Sequence, residues 1–327
     1  MQPDTQRVNA GAVSQMKIGI VGAGLIGRAW AIVFARAGFL VSVYDVNANA
    51  LVNAGDAIRQ SLNDLQQAEL VADVDQIMTR IRFDADLTSA MQGVEYVQEC
   101  GPENVEGKKT IYRELEAVVA TGTVLASSTS GIAASQFSER LQHPERCLVA
   151  HPVNPPYLIP LVEIVPTPQT SEDVTTTTLQ LMEAAQQVPI LVRKEIEGFV
   201  LNRLQGALLN EALRLFRDGY VSAEDLDKTV KHGLGLRWSF MGPFETIDLN
   251  APAGIEDYAS RYGPLYHQVD QQRGQENPWD ASTLKIVGEE RRALLPRAEL
   301  AARHEWRDRR LMSLIAHQRL MAEKDSS

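Results

Sequence analysis

The chain has 327 residues, of which 44% are hydrophobic and 23% charged, and its formal net charge is −10. This length accommodates two domains with separate hydrophobic cores, because single cores stop growing near ~250–300 residues. The acidic balance argues against nucleic acid and anionic membranes, and we expect neither as a partner. The two cysteines, Cys100 and Cys147, are too few for a disulfide framework and suit a reducing compartment.

The N-terminal segment, residues 1–15, is polar and is predicted to be a disordered tail, because it offers little apolar surface to bury. It lacks the apolar core of a signal peptide. No later run approaches the ~18 apolar residues that a membrane-spanning helix needs. The sequence therefore predicts a cytoplasmic protein.

Short apolar runs alternate with helical patterns from residue 16 to about residue 192, which is typical of βαβ units around a parallel sheet. The predicted strands are 17–21, 40–44, 82–84, 96–99, 124–127, 147–150, 161–165 and 190–193. The predicted helices are 25–37, 48–69, 104–120, 133–141 and 171–187. This pattern predicts a Rossmann-type, doubly wound α/β domain over residues 16–195.

The pattern becomes entirely helical from residue 196 onward. The first helix carries a broad set of apolar side chains: Phe199, Val200, Leu204, Leu208, Ala212 and Leu215. Such a helix is expected to be buried against others, and its apolar surface exceeds what one small domain covers, which predicts a homodimer. Further helices are predicted after Ser222, whose partner three residues on is Asp225, and at 255–272, 281–295 and 299–320. Residues 196–327 are thus predicted to form a helical domain for substrate binding and dimerisation.

The last predicted helix mixes charges of both signs. Arg303, Arg307, Arg309 and Arg310 alternate there with Glu299, Glu305 and Asp308. Mixed signs at this spacing are typical of a solvated or subunit-facing helix.

The motif GAGLIG at residues 22–27 joins the first strand to the first helix with the spacing GxGxxG. Gly22 allows the tight turn, Gly24 lets the backbone approach a pyrophosphate, and Gly27 lets the helix pack against the sheet. The helix that begins near Leu25 and Ile26 directs its first N–H groups and its positive dipole end at the phosphates. We assign these residues to dinucleotide binding.

Asp45 ends the second strand, where an acid is expected to accept hydrogen bonds from ribose hydroxyls. A carboxylate at this place repels the 2′-phosphate of NADP, and the residues that follow, 46–49, supply no Arg or Lys. The predicted cofactor is therefore NAD rather than NADP.

His151 follows a buried strand, and Glu163 lies twelve residues on in an apolar run. A lone carboxylate in such a run is costly unless it is paired. A His–Glu pair resolves that cost, and it has a chemical use, because the carboxylate orients one ring nitrogen while the other takes a proton. A satisfied core histidine beside a strand-edge glutamate fits the same spacing. Pro155 and Pro156 predict a rigid turn after the histidine, with a cis bond as one form of it.

Two more polar groups lie where a site can form. The serines of residues 127–131 follow a buried strand, where Ser residues usually serve as turn and cap residues. Asn202 lies on the apolar helix near the predicted domain junction, and an amide in such surroundings needs hydrogen-bond partners.

Six motifs together resemble the L-3-hydroxyacyl-CoA dehydrogenase family in order and spacing. They are GAGLIG with Asp45, STS at 128–130, HPVNPP at 151–156, LVEIV at 161–165, GFVLNR at 198–203 and MGPFE at 241–245. The residues of these motifs, and the tail around His304, most resemble the branch that contains lambda-crystallin and L-gulonate 3-dehydrogenase. Glu103 and Lys108, in PENVEGKK, match the acidic and basic residues on the cofactor side in this family.

The resemblance implies roles for four residues. His151 is expected to be the general base and Glu163 its partner. Ser130 and Asn202 are expected to hydrogen-bond the reacting oxygen.

One departure from the acyl-CoA members of the family concerns the segment before MGPFE. A short Gly-Tyr-Pro connection is usual there, whereas this chain has Leu236-Arg237-Trp238-Ser239-Phe240. Arg237 offers a planar fork for a small carboxylate, and the aromatic residues can narrow the pocket. A surface arginine beside core aromatics is the other interpretation.

The sequence thus predicts an NAD-dependent dehydrogenase that oxidises the 3-hydroxyl of a small L-3-hydroxy acid, with L-gulonate as the best single candidate. L-3-hydroxyacyl-CoA, L-carnitine and 3-hydroxybutyrate are alternative substrates. A crystallin-like protein without turnover is the alternative from another class. No metal is predicted.

Overall fold

A computed structural model describes residues 16–272 and 277–325, so the predicted tail, residues 1–15, lies outside the described residues. The strands are β1 (Lys17–Val21), β2 (Leu40–Tyr44), β3 (Ile81–Asp84), β4 (Tyr96–Glu99), β5 (Val124–Ser127), β6 (Cys147–Pro152), β7 (Leu161–Pro166) and β8 (Val188–Leu191). They form one sheet with the order β3-β2-β1-β4-β5-β6-β7-β8. Each predicted strand is confirmed, with ends that shift by one or two residues.

The strand directions differ from the prediction at one edge of the sheet. Strands β1 to β6 pair in parallel. Strand β7 pairs with β6 in the antiparallel direction, and β8 is parallel to β7. The prediction of a parallel sheet is therefore wrong for the β6–β7 pair. The connection over residues 153–160 contains no helix that could return the chain to the opposite end of the strands.

Seven helices accompany the sheet in the described chain up to β8. They are α1 (Leu25–Arg36), α2 (Ala48–Gln67), α3 (Val74–Met78), α4 (Leu87–Ala90), α5 (Val105–Val118), α6 (Ser135–Ser138) and α7 (Glu172–Ala184). The helix predicted at 133–141 shrinks to the four residues of α6. The sequence reasoning missed α3 and α4, although each begins at an aspartate, Asp73 or Asp86, whose side chain caps a backbone N–H.

Apolar side chains fill both faces of the sheet. On one face α1 buries Trp30 and Phe34 completely, and their rings stack with centroids 5.3 Å apart. On the other face Tyr112 and Phe137 pack with centroids 4.7 Å apart. Two covered faces require strands that are apolar throughout, which confirms the predicted doubly wound α/β class.

The chain folds as two compact units. One runs to Asn202 and resumes at His304, and the other is Arg203–Arg303. The later helices are α8 (Leu201–Arg217), α9 (Ala223–Thr229), α10 (Gly235–Trp238), α11 (Pro243–Asp248), α12 (Ile255–Gln271), α13 (Ala281–Leu294) and α14 (Leu300–Asp325). The helical class predicted for the C-terminal part is confirmed, whereas the domain division between residues 195 and 196 stays a prediction. None of the described helices combines the length and the apolar content needed to cross a membrane.

Helix α8 is less buried than its sequence predicts. Leu204 is 63% exposed and Leu215 is 38% exposed, while Leu213 is buried. Phe199 is fully buried but precedes the helix. The expected burial is therefore wrong within the single chain, because the chain offers α8 too few apolar neighbours. The predicted homodimer stays a prediction.

Helix α14 packs against the first unit along a narrow apolar stripe. Met312 is 5% exposed in the core of that unit, and Leu311 and Ile315 pack beside it. The prediction of a solvated helix is therefore only partly correct. Three or four apolar residues at helical spacing are enough to pack one face of α14 against the unit, although most of its other residues are charged.

We predict that Gly27→Ala destabilises the fold without any ligand present. A Cβ at Gly27 would lie 1.8 Å from the carbonyl oxygen of Gly22, which is backbone and cannot move aside cheaply. The free energy of unfolding, measured by urea denaturation, should fall by at least ~1–3 kcal/mol. Gly24→Ala is the matched control, since a Cβ there meets nothing within 4 Å. Equal stability of the two variants would contradict this account of the turn.

Candidate active site

The antiparallel pairing of β6 and β7 places His151 directly opposite Glu163. The Nδ1 atom of His151 lies 2.8 Å from Oε2 of Glu163, and the two residues are 5% and 0% exposed. The histidine lies inside strand β6, so the prediction that it follows the strand is wrong. The strand continues past residue 150 because β7 supplies a partner for it.

The second oxygen of Glu163 holds the start of the next helix. Oε1 accepts hydrogen bonds from the backbone N–H of Val200, at 2.8 Å, and of Leu201, at 2.9 Å. Burial favours the neutral acid, yet the bonds from His151 and these two N–H groups together hold the pKa of Glu163 below its ordinary value. The carboxylate is therefore ionised near neutral pH and can only accept.

This charge state fixes the tautomer of a neutral His151. The ring must donate from Nδ1 to the carboxylate, so Nε2 carries the lone pair. No residue in the described part of the chain forms a hydrogen bond with Nε2. The arrangement can therefore accept a proton at Nε2 and stabilise the imidazolium that results.

A turn before α8 aims the two N–H groups at Glu163. Gly198 has φ 75° and Phe199 has φ 48°, so two consecutive residues occupy the left-handed region. A phenylalanine there is strained, and burial of its ring offsets that cost. The ring is fully buried, with its centroid 5.4 Å from that of His151. The sequence analysis did not predict that Phe199 supports His151. The available signal was the Gly198-Phe199 pair, which lies where the predicted strands are followed by helices.

Ser130 and Asn202 contact each other directly. The side-chain amide of Asn202 donates to the carbonyl oxygen of Ser130 at 2.7 Å. The backbone N–H of Ser130 donates to Glu103 at 2.9 Å, and the hydroxyl of Thr129 donates to the same oxygen at 2.6 Å. Asn202 directly follows Leu201, whose N–H group donates to Glu163. Hydrogen bonds and this short stretch of backbone therefore link Glu103, Ser130 and Asn202 to His151.

Lys108 lies between two carboxylates and is only 1% exposed. Its ammonium is 2.9 Å from Glu99 and 3.7 Å from Glu103. Glu99 is fully buried and also accepts hydrogen bonds from Ser127 and from the N–H of Gly101, each at 2.6 Å. Glu99 was not predicted, although an acid at the end of an apolar strand was a visible signal. The cofactor-side roles of Glu103 and Lys108 stay predictions.

The turn between β1 and α1 has the geometry that a dinucleotide phosphate needs. Gly22 has φ 103°, and a Cβ there would lie 2.7 Å from the carbonyl oxygen of Cys100. Gly24 is open, and within the described chain no side chain caps the first N–H groups of α1, at Leu25 and Ile26. These donors at a helix N-terminus fit an anion.

Asp45 stands at the end of β2 beside this turn. Its carboxylate accepts the N–H of Ala23 at 2.8 Å and that of Asn47 at 2.9 Å. It also lines a cavity of about 240 Å³ near the ends of β1, β2 and β4. The open glycine turn, the free N–H groups and this acid together fit NAD.

Arg237 belongs to the second compact unit, whereas the residues described above belong to the first. It is exposed on α10, and its guanidinium is 3.5 Å from the side-chain oxygen of Asn250. Trp238 and Phe240 beside it are 41% and 70% exposed. A role for Arg237 toward substrate stays a prediction.

Two family models match the chain. Residues 17–196 match the NAD-binding domain of 3-hydroxyacyl-CoA dehydrogenase, and residues 198–285 match the C-terminal domain of the same family. The first match confirms the predicted cofactor, NAD.

Named relatives cover most of the chain. The lambda-crystallin homolog of Rattus norvegicus is 41% identical over 91% of this chain and 96% of its own length. The L-carnitine dehydrogenase of Oceanobacillus iheyensis is 36% identical over 76% of this chain and 80% of its own length.

Solved structures share the fold to different extents. That of 5-formyl-3-hydroxy-2-methylpyridine 4-carboxylic acid 5-dehydrogenase has a TM-score of 0.79 and 27% identity, and covers 94% of this chain and 99% of its own. That of 3-hydroxybutyryl-CoA dehydrogenase from Escherichia coli has a TM-score of 0.64 and 26% identity, and covers 79% of this chain and 54% of its own.

We predict that Glu163→Gln reverses the tautomer of His151. A glutamine can still accept the N–H groups of Val200 and Leu201, but its amide nitrogen then donates to Nδ1 and leaves the ring proton on Nε2. Nitrogen chemical shifts of the labelled histidine will report this change. A ring that keeps its proton on Nδ1 in the variant would contradict the assignment.

The same substitution has a pH-dependent effect on stability. A carboxylate with a lowered pKa contributes stability that is complete above its unfolded pKa and is lost as the pH falls through its folded pKa. The variant should therefore be less stable than the wild type by ~1–3 kcal/mol near pH 7, with a gap that shrinks below pH ~4.3. Glu139→Gln, at an exposed position on the same unit, is the control and should show no such gap.

Proposed function

The chain belongs to the 3-hydroxyacyl-CoA dehydrogenase family, and we propose that it oxidises the 3-hydroxyl of a small L-3-hydroxy acid with NAD. L-gulonate is the substrate that the resemblance to the lambda-crystallin branch favours. The observation that carries the proposal is the buried His151–Glu163 pair, whose Nε2 remains open to accept a proton. We propose the cytoplasm as its location and a homodimer as its assembly.

The residues that would hold NAD are Gly22, Gly24 and Asp45, with the first N–H groups of α1 at Leu25 and Ile26. When bound, NAD supplies the acceptor for the hydride that leaves C3 of the substrate. The protein's part is to remove the hydroxyl proton and to hold the reacting oxygen in place.

His151 accepts the proton of the C3 hydroxyl at Nε2. The resulting imidazolium is stabilised by Glu163, which keeps its hydrogen bond to Nδ1 throughout. Ser130 and Asn202 hold the oxygen while it becomes a carbonyl. The product is a 3-keto acid, formed without a covalent link to the protein.

A small acid is favoured over an acyl-CoA by the resemblance to the lambda-crystallin branch and by residues 236–240, which replace the short connection usual in acyl-CoA members. Coverage does not separate the two substrate classes. The solved enzyme named for a pyridine carboxylic acid covers 94% of the chain, and a relative named 3-hydroxyacyl-CoA dehydrogenase covers 93% of it. L-carnitine, a small 3-hydroxy acid, is the second candidate because a relative that covers 76% of the chain is named for it.

A substrate panel at a fixed NAD concentration tests the proposal. L-gulonate, L-3-hydroxybutyrate, L-carnitine and L-3-hydroxybutyryl-CoA are compared by kcat/KM from NADH absorbance. We expect a free hydroxy acid to exceed the thioester. A higher value for the thioester would overturn the substrate class, and no NADH with any member would favour the non-enzymatic alternative.

We predict that His151→Ala lowers kcat by ~10²–10⁴-fold with little loss of NAD affinity, because a general base acts on the transition state rather than on cofactor binding. Steady-state rates and a separate NAD titration measure the two effects. His143→Ala is the matched control, since that exposed histidine pairs with Glu145 elsewhere on the unit. Near-full activity of folded His151→Ala would show that another group takes the proton.

We predict that Arg237→Met decreases kcat/KM for free hydroxy acids by the equivalent of ~2–5 kcal/mol and leaves NAD binding unchanged. The loss follows if the guanidinium pairs with the substrate carboxylate. Any activity on the thioester, which lacks that carboxylate, should not fall. Arg237→Lys should recover only part of the loss, because it keeps the charge without the planar fork. Equal activity of Arg237→Met and the wild type would leave Arg237 as a surface residue.

A further inference from the structure

The cavity beside Asp45 is an apolar slot with one unusual group at its mouth. Its volume is about 240 Å³, which suits a purine ring. The lining is mostly apolar and includes Val21, Tyr44, Asp45, Leu87, Ile111 and Glu114. Because the slot adjoins the GxGxxG turn and Asp45, it is where the adenosine end of NAD would lie.

Glu114 brings a carboxylate to this slot from helix α5. It forms no ion pair or hydrogen bond with any of the residues that the structure describes. The nearest cation in sequence, Arg113, is engaged elsewhere, since it donates to the carbonyl oxygen of Lys109 at 3.0 Å and to Thr110 at 3.4 Å. The side chain is exposed to solvent.

Besides burial, the carboxylate of Glu114 raises the pKa of Tyr44, a residue that lines the slot. Burial raises the pKa of Tyr44, and the nearby carboxylates of Glu114, Asp45 and Asp86 raise it further. The phenol therefore stays neutral, and the polar surface at this end of the slot consists of hydrogen-bond acceptors with one hydroxyl.

The two carboxylates that line the slot have different partners available. The oxygens of Asp45 already accept the N–H groups of Ala23 and Asn47. Both oxygens of Glu114 are free of donors from the described residues. A carboxylate accepts hydrogen bonds and cannot donate them. The donor that an adenine ring offers on its outer edge is the exocyclic amine.

We propose that Glu114 determines the base specificity of the cofactor site by accepting a hydrogen bond from the exocyclic amine of adenine. The proposal rests on NAD as the cofactor and not on the identity of the hydroxy acid. In a hypoxanthine ring a carbonyl oxygen replaces the amine, so the carboxylate meets it acceptor to acceptor, and the ring's N1–H donor lies one position away from the place of the amine. The site therefore selects the adenine dinucleotide over its deaminated analogue.

Nicotinamide hypoxanthine dinucleotide is the probe for this proposal, compared with NAD by quenching of protein fluorescence. The wild type should bind NAD about tenfold or more tightly than the analogue, the factor expected for a hydrogen bond to a charged group. Glu114→Gln can donate as well as accept, so the ratio of the two dissociation constants should fall several-fold toward one. The measurement needs no substrate, so it stands whether or not the proposed hydroxy acid is correct.

Glu106→Gln is the matched control on the same helix, because Glu106 pairs with Lys109 at 2.8 Å and does not line the slot. This variant removes the same charge and should keep the wild-type ratio. Equal affinity of the wild type for both dinucleotides would overturn the proposal. So would an unchanged ratio in Glu114→Gln, or an equal change in Glu106→Gln.

Discussion

The carboxylate of Glu163 is the group on which the candidate site depends. A charge with no solvent exposure is costly to bury unless every lone pair finds a donor, and here one oxygen takes His151 while the other takes two backbone N–H groups. These contacts tie β6, β7 and the start of α8 together. The antiparallel direction of β7 and the strained turn at Phe199 both serve to complete them. Any change that leaves Glu163 short of a donor therefore disturbs the histidine as well.

A second buried charge pair also supports the candidate site. Lys108 and Glu99 neutralise each other, and Glu103, near the ammonium, orders the backbone at Ser130. Asn202 closes the path by donating to Ser130. Buried ion pairs add little net stability, since desolvation offsets the attraction, but their demand for complete hydrogen bonding restricts geometry. In this protein that restriction falls on groups that we propose to contact the reacting oxygen.

The parts of the fold that follow from local patterns could be predicted from the sequence. Apolar strands, helix caps such as Ser222 and the GxGxxG turn are each specified by neighbouring residues, and they are where the patterns place them. The direction of β7 could also have been predicted, because no helix is predicted between residues 150 and 161 and so short a connection cannot carry a parallel crossover. The burial of Lys108 could not be predicted, since residue type favours exposure and its partner Glu99 lies on another element. The docking of α14 through Met312 is hidden by the many charges around it.

The division of groups between the compact units bears on how the proposed substrate preference arises. His151, Glu163, Ser130 and Asn202 all belong to the first unit, which also holds the dinucleotide turn. The groups that we propose to take the hydroxyl proton therefore all lie within the first unit. The rest of the substrate differs among the relatives named for thioesters, carnitine and pyridine carboxylic acids, while the fold that presents the histidine is shared. Substrate choice in such a family can change at residues outside the proton-transfer network, and the role proposed for Arg237, which is exposed on α10, is of this kind.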